Sequence, residues 1–278
     1  MGRYGDLQSF YSAADESARL GTGVFRLELE RTRELLAARI PPPPAIVLDV
    51  GGGPGVHARW LAGLGYEVHL VDIVPRHVEQ ARAVDSGSPP LAGAEVGDAR
   101  CLERADSSVD VLLLLGPLYH LPEPGDRRAT LAEALRVLRP GGLLAAAGIS
   151  RFVSLLGVLA QAGRPTPDAV AIVEEDLRTG RHVNPTDSLE WFTRAYFHRP
   201  EELRAEVAEA GFGEVDVVGL EGPLWLAAAF EALWQDETGR ERAMRWARTV
   251  EREESLLGAS AHLLAFARKP GQTPGRSA

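Results

Sequence analysis

The sequence predicts an α/β fold with a doubly wound, mostly parallel seven-stranded sheet, N-terminal helices and a helical lid insertion. Three observations predict it. From Ala45 to about Ser150, short apolar runs alternate with helix-period segments, the rhythm of βαβ units. The first of these runs, AIVLDV, leads into GGGPG (Gly51–Gly55) and then a helical pattern; a glycine-rich turn of this kind lets backbone approach a ligand and aims helix N–H groups at it. Two further apolar runs, EVDVVGL and HLLAFARK, return after a long interruption and complete the strand count.

The elements follow in order. Residues 1–44 form an N-terminal helical cap, in which Val24–Ile40 has apolar residues at helical spacing and Pro41–Pro44 ends the helix. Residues 45–150 are the ligand-binding core: strand AIVLDV, a helix near Pro54–Leu64, strand YEVHLVD, a helix near Pro75–Val84, a short strand at Ala94–Val96, strand VDVLLLL, a helix near Arg127–Leu138, the turn RPGG and strand LLAAAGI. Residues 151–199 read as helix and loop without a strand, an insertion at the carboxyl edge of the sheet where open α/β folds bind ligands. Residues 200–270 return to the sheet, with helix PEELRAEVAEAGF, strand EVDVVGL, a helical stretch near Trp225–Leu257 and the final strand, before a disordered tail at 271–278. Trp225, Leu226, Phe230 and Trp234 share an apolar helical face that is either core or the surface of a homodimer.

Composition narrows the function. A formal charge of −9 and the lack of any long basic run argue against a nucleic-acid partner and favour a small-molecule acceptor. The longest apolar run, VDVLLLLGPLYHL, is interrupted by Gly116 and Pro117 and falls short of a membrane span. Cys101 is the only cysteine, so no intramolecular disulfide or Cys-based zinc site can form, which points to a cytoplasmic setting. No histidine pair has metal-ligand spacing backed by acids, so no metal is expected.

Two cofactor classes use a glycine turn of this kind, dinucleotides and S-adenosyl-L-methionine. The dinucleotide fingerprint G-x-G-x-x-G fails, because counting from Gly51 its third glycine would fall on Val56. Asp49 stands two residues before Gly51, and glycines occupy 51, 53 and 55. An acid there favours a cationic ligand and would repel a pyrophosphate.

This arrangement, with Asp72 ending YEVHLVD, EVGDA around Asp98, LLLLGPLYHL and LRPGGLLAAAGIS, resembles the class I S-adenosylmethionine-dependent methyltransferases. YSAADESARL and NPTDSLEWFTRAYFHRPEEL look like a small-molecule branch of that family. The resemblance implies a Rossmann-like methyltransferase fold and S-adenosyl-L-methionine as cofactor. It implies that Asp49 serves the cofactor ammonium, Gly51, Gly53 and Gly55 wrap its amino-acid part, and Asp72 accepts the ribose hydroxyls. It further implies that Asp98 and the Ala99 N–H meet the adenine, and that the stretch containing Leu115 lies beneath the reactive methyl. Ile73 packs on the adenine or belongs to the core, and Asp98 is alternatively a turn residue. The resemblance also implies that the N-terminal segment, with Tyr11, closes over the cofactor carboxylate.

His120, after the fourth core strand, is the candidate proton acceptor, because a neutral imidazole there faces both cofactor and acceptor. Tyr119 beside it and His198 in the insertion are the other catalytic candidates; each imidazole has packing or backbone hydrogen bonding as its alternative. His57 and His69 read as structural. The expected activity is transfer of a methyl group to an O, N or C nucleophile of a small molecule. The alternatives are an adenosylmethionine-using enzyme without methyl transfer, a cofactor-binding module and, more distantly, an NAD-dependent oxidoreductase.

Overall fold

The computed structural model describes residues 19–83, 89–161, 163–185 and 191–271. Helix α1 (Phe25–Ala37) buries Leu27, Leu35 and Leu36 along one stripe, as the spacing predicts, and leads into the proline run. Strands β1 (Ile46–Val50), β2 (Glu67–Asp72), β3 (Gly93–Val96), β4 (Val109–Leu114) and β5 (Leu138–Ser150) are parallel and ordered β3-β2-β1-β4-β5. Helices α2 (Val56–Gly63), α3 (Pro75–Arg82) and α4 (Pro124–Val137) supply the crossovers between them. The interior strands are buried almost throughout, which explains their continuous apolar runs.

The sheet holds nine strands rather than seven. Seven follow the predicted pattern, because β9 (His262–Arg268) runs antiparallel beside β5 and β8 (Asp216–Gly219) pairs antiparallel on β9. The other two come from the segment expected to lack strands. After α5 (Val153–Ala160) and α6 (Pro167–Thr179), β6 (Arg181–His182) and β7 (Ala195–His198) pair antiparallel. Ile149 and Ser150 of β5 then pair with Phe197 and His198. Ile149 also pairs with His262 on its other side, so β7 takes up the edge of β5 beyond the end of β4. Strands this short carry no readable alternation, and long-range pairing alone creates them.

RPGG also differs from the expectation of a simple turn. It lies inside β5 as a bulge, where the register moves from Val109↔Leu138 to Val111↔Leu143 and Gly141 adopts φ +80°. In the C-terminal part, α7 (Pro200–Glu209) precedes β8; a 3-10 turn (Gly222–Leu226), α8 (Phe230–Trp234), α9 (Glu237–Val250) and α10 (Glu254–Leu257) follow it. Phe230 and Trp234 are buried against Leu27 of α1 and Ala243 and Ala247 of α9. Phe230 and Trp234 are therefore core and join α1 to α9, whereas Trp225 and Leu226 fall in the 3-10 turn and are partly buried. Among the described residues no helix is long and apolar enough to cross a membrane.

Candidate active site

A cleft opens at the carboxyl edge of the sheet, between the glycine turn, the ends of β2 and β4, the start of β9 and α1. The glycine turn shapes one wall. Gly53 has φ +57°, in the left-handed region that glycine adopts without penalty, and a Cβ built on it would meet nothing within 4 Å. The turn therefore presents bare backbone to open space. Behind it the chain is tight: a Cβ on Gly51 would come within 2.7 Å of the Pro117 ring, and one on Gly52 within 2.7 Å of Asp49 Oδ2.

Asp49 is 1 % exposed, and neither of its oxygens has a hydrogen-bond partner among the described residues. Burial and then the charge of Asp72 raise its carboxyl to about 7, against the pull of the Ala58 amide. A buried, orphaned acid on the cleft wall is a site that a cationic group would complete.

Asp72 is differently placed. Its Oδ2 accepts the Gly53 N–H at 2.8 Å, and its Oδ1 accepts the Val74 N–H at 2.8 Å and lies 3.3 Å from His77 Nδ1. These bonds tie the end of β2 to the glycine turn and to the start of α3. A carboxylate offers about four acceptor positions, so capacity for further donors remains. Asp98 lines the cleft too, but its oxygens are gripped by Arg100, with Nη2 at 2.6 Å, and Arg100 also reaches Asp126 at 2.9 Å. Ile73, Ala99 and Leu115 line the same cleft and are partly buried. Tyr11 lies outside the described residues.

Tyr119 and His120 end a 3-10 turn, Pro117–His120, that follows β4. The Tyr119 hydroxyl donates to the Leu115 carbonyl at 2.9 Å, and the His120 ring packs 4.8 Å from Tyr119 and 5.3 Å from Phe192. Enclosure by the surrounding chain holds the His120 imidazole down to about 3, with Asp72 opposing and Arg19 adding to the effect. The turn is anchored at its exit by Arg127, which donates to the carbonyls of Leu121 and Pro122 at 2.9 and 3.0 Å.

His198 does not reach this cleft. It is fully buried on β7, with Nε2 3.3 Å from Glu206 Oε2. Glu206 in turn takes Arg127 Nη2 at 2.7 Å. The imidazole thus belongs to a cluster with Glu206 and Arg127, none of which lines the cleft.

Several cleft residues carried no chemical signal in the sequence. Glu28 comes from α1, held by Arg19 at 2.9 Å. His57, read as structural, lines the cleft; burial lowers its imidazole to about 4, Arg33 and Arg19 adding and Glu28 opposing. His262 begins β9, with Nδ1 2.6 Å from Glu221 Oε1 and 3.8 Å from Glu28 Oε2. Burial works against its charge, but Glu28 and then Glu221 outweigh it and hold the imidazole up to about 9. Glu28, Glu221 and His262 each offer one donor atom within 4.8 Å of the others. The 2.6 Å contact makes this a carboxylate–imidazole hydrogen bond, which occupies the nitrogen a cation would need. One cue was available: a histidine opening a final strand that runs antiparallel to the rest stands at the ligand-binding edge.

Three comparisons bear on this geometry. Residues 47–142 match the family described as a methyltransferase domain. The chain is 32% identical over 269 residues to the 27-O-demethylrifamycin SV methyltransferase of Amycolatopsis mediterranei (strain S699), covering 92% of this chain and 87% of the relative. It is 29% identical over 221 residues to the ubiquinone/menaquinone biosynthesis C-methyltransferase UbiE of Acidiphilium cryptum (strain JF-5), covering 78% and 83%. Among solved structures, a SAM-dependent methyltransferase of Methanosarcina mazei shares the fold with a TM-score of 0.59 at 18% identity, covering 86% of this chain and 98% of that one. The glycine turn, the orphaned Asp49 and these likenesses agree, and the chain belongs to the class I S-adenosylmethionine-dependent methyltransferases that act on small molecules.

Proposed function

We propose that the cleft binds S-adenosyl-L-methionine along the carboxyl edge of β1, β2 and β4 and receives an acceptor with apolar and aromatic parts beside His120 and Phe192. The observation that carries the reading is the orphaned carboxylate of Asp49 behind the bare glycine turn. On this reading Asp49 takes the cofactor ammonium, and the backbone at Gly51, Gly53 and Gly55 wraps its amino-acid end. Asp72 accepts ribose hydroxyls in addition to its bonds to Gly53 and Val74. Ile73, Asp98 and Ala99 flank the adenine, with the Asp98 carboxylate shared with Arg100. Leu115 lies under the reacting centre. Cys101, exposed and free, supports a cytoplasmic setting.

When bound, S-adenosyl-L-methionine would supply an electrophilic methyl group for transfer to the acceptor's nucleophile. The chain's own residues position the acceptor, exclude water and manage one proton. His120, wedged between Tyr119 and Phe192, is too weakly basic in this enclosure to keep a proton at neutral pH. Its contribution is an acceptor-facing ring that orients the substrate, with Tyr119 locked behind it. Phe192, from the 151–199 insertion, backs the His120 ring at 5.3 Å.

Calorimetric titration with S-adenosylhomocysteine against NADH tests the cofactor, with binding of the first and none of the second expected. Mass spectrometry of incubations with candidate acceptors then looks for a gain of one methylene mass. Tight NADH binding without adenosylhomocysteine binding would overturn the reading.

A further inference from the structure

The Glu221–His262 pair has no part in holding the cofactor as described above. His262 pairs across the sheet with Ile149, near the end of β5, so its side chain stands at the same carboxyl edge as the glycine turn and lines the cleft. Its orientation is fixed by a closed set of bonds. Nδ1 lies 2.6 Å from Glu221 Oε1, and Glu221 Oε2 accepts the Ser260 hydroxyl at 2.8 Å and the His262 backbone N–H at 3.1 Å. The Ser260 oxygen in turn accepts the N–H groups of Glu221 and Gly222 at 3.1 and 3.2 Å. Glu221 is 2 % exposed and Ser260 fully buried.

Nδ1–H therefore donates to Glu221, which leaves Nε2, without a hydrogen-bond partner among the described residues, to the cleft. The other charged groups facing the ring are Glu28 from α1, at 3.8 Å, and Arg19, which holds Glu28. Leu220, Leu264 and Ala147 are apolar residues of the same cleft lining. A carboxylate-backed imidazole with one nitrogen turned to a binding cleft is the arrangement of a general base and its orienting partner.

We propose that His262, oriented by Glu221, pairs through Nε2 with a phenolic or enolic hydroxyl of the acceptor and holds the proton while the oxygen stands as the oxyanion, so that the atom methylated is an oxygen. This rests on methyl transfer taking place in this cleft. The O–H bond breaks, its proton passes to His262 Nε2, and the oxygen keeps the electron pair with which it bonds the methyl carbon. The imidazolium so formed lies between the carboxylates of Glu221 and Glu28 and gives its proton to solvent after product leaves.

The class of acceptor rests on an oriented imidazole beside an apolar lining, and the match of acidities supports it. His262 is held at about 9, near the value of about 10 for a phenol, whereas aliphatic alcohols and C–H groups ionise far above both. His57 and His120, at about 4 and about 3, keep a phenolic proton poorly. At neutral pH most His262 already carries its proton, and the site then takes the acceptor as its anion. Both routes end in the same imidazolium–oxyanion pair.

The test uses the full chain saturated with S-adenosylhomocysteine and 4-nitrophenol as the probe, its visible absorbance reporting ionisation. At pH 6 the bound probe is expected to show the phenolate band. His262→Gln should weaken its binding at least tenfold or return it to the neutral form, and Glu221→Gln should shift the bound probe toward neutral. Retained adenosylhomocysteine affinity certifies that the variants are folded; His262→Asn replaces His262→Gln if it fails that check. A wild-type protein that does not bind the probe, binds it neutral, or is matched by His262→Gln overturns the proposal. If adenosylhomocysteine itself does not bind the wild type, the cofactor reading falls and this proposal with it.

Discussion

A Cβ placed on Gly52 would stand 2.7 Å from Asp49 Oδ2 and 2.8 Å from Leu70 Cδ1, so the middle glycine of the turn is what lets the acid lie flat behind it. Neither neighbour is the free end of a flexible chain, because both are buried beneath the turn. Gly52→Ala must therefore displace Asp49 or lift the turn. The expected outcome is a folded protein whose affinity for S-adenosylhomocysteine falls at least tenfold, about 1.4 kcal/mol, by calorimetry. Unchanged affinity would show that the turn does not form the cofactor wall.

Asp49 itself makes binding depend on pH. With its carboxyl raised to about 7 by burial and Asp72, a cationic ligand must bind the ionised form and expel the proton. Affinity for adenosylhomocysteine should be level above about pH 8 and fall as pH drops below about 7, approaching tenfold per pH unit. Calorimetry in buffers of different ionisation enthalpy should detect proton release at pH 6, and Asp49→Asn should abolish both effects. The same group acts on the unliganded fold with a defined sign. Its folded value lies above its unfolded one, so its contribution to stability is greatest when protonated and declines as pH rises from about 4 through about 7.

The parts legible in the sequence are those written in local pattern. Alternating apolar runs and the glycine turn identified seven of the strands and the positions of Asp49 and Asp72. The β6–β7 pairing was hidden, because a two-residue strand pairs only with β7, and the four-residue β7 is held in turn by the end of β5. The hold of Arg100 on Asp98 was within reach at a spacing of two residues, but its second partner, Asp126, arrives from α4. His262 looked like an ordinary strand residue. Its place at the cleft depends on β9 lying beside β5, and its partner Glu221 arrives from the end of β8. Such juxtapositions depend on topology, which no single window of sequence encodes.

Removal of metal should change nothing. Glu28, Glu221 and His262 approach one another closely enough to suggest a cation site, but Glu221 spends both oxygens on hydrogen bonds from His262 and Ser260. Treatment with excess EDTA followed by gel filtration is expected to leave adenosylhomocysteine affinity and 4-nitrophenol binding within twofold of the untreated protein. A loss restored by Mg²⁺ or Mn²⁺ would replace the carboxylate–imidazole pair with a metal centre.

His198 should prove a stability residue, separable from the cofactor site. It is fully buried, bonded to Glu206, and Glu206 also grips Arg127, whose guanidinium lies 3.7 Å over the Tyr196 ring. Burial opposes the Glu206 charge, but hydrogen bonds from His198 and Arg127 outweigh it and lower the carboxyl to about 2. A depressed folded value means that this contribution is complete above the ordinary carboxylate value near 4.5 and is lost as pH falls toward 2. Glu206→Gln leaves Arg127 less than fully compensated in the interior, which costs about 2 kcal/mol or more. It should also flatten the acid limb of the stability curve measured by urea unfolding. His198→Gln should lower the melting temperature while adenosylhomocysteine affinity stays within threefold. Loss of that affinity at unchanged stability would return His198 to the site, because a merely structural role in the Glu206–Arg127 cluster can lower affinity only by loosening the fold.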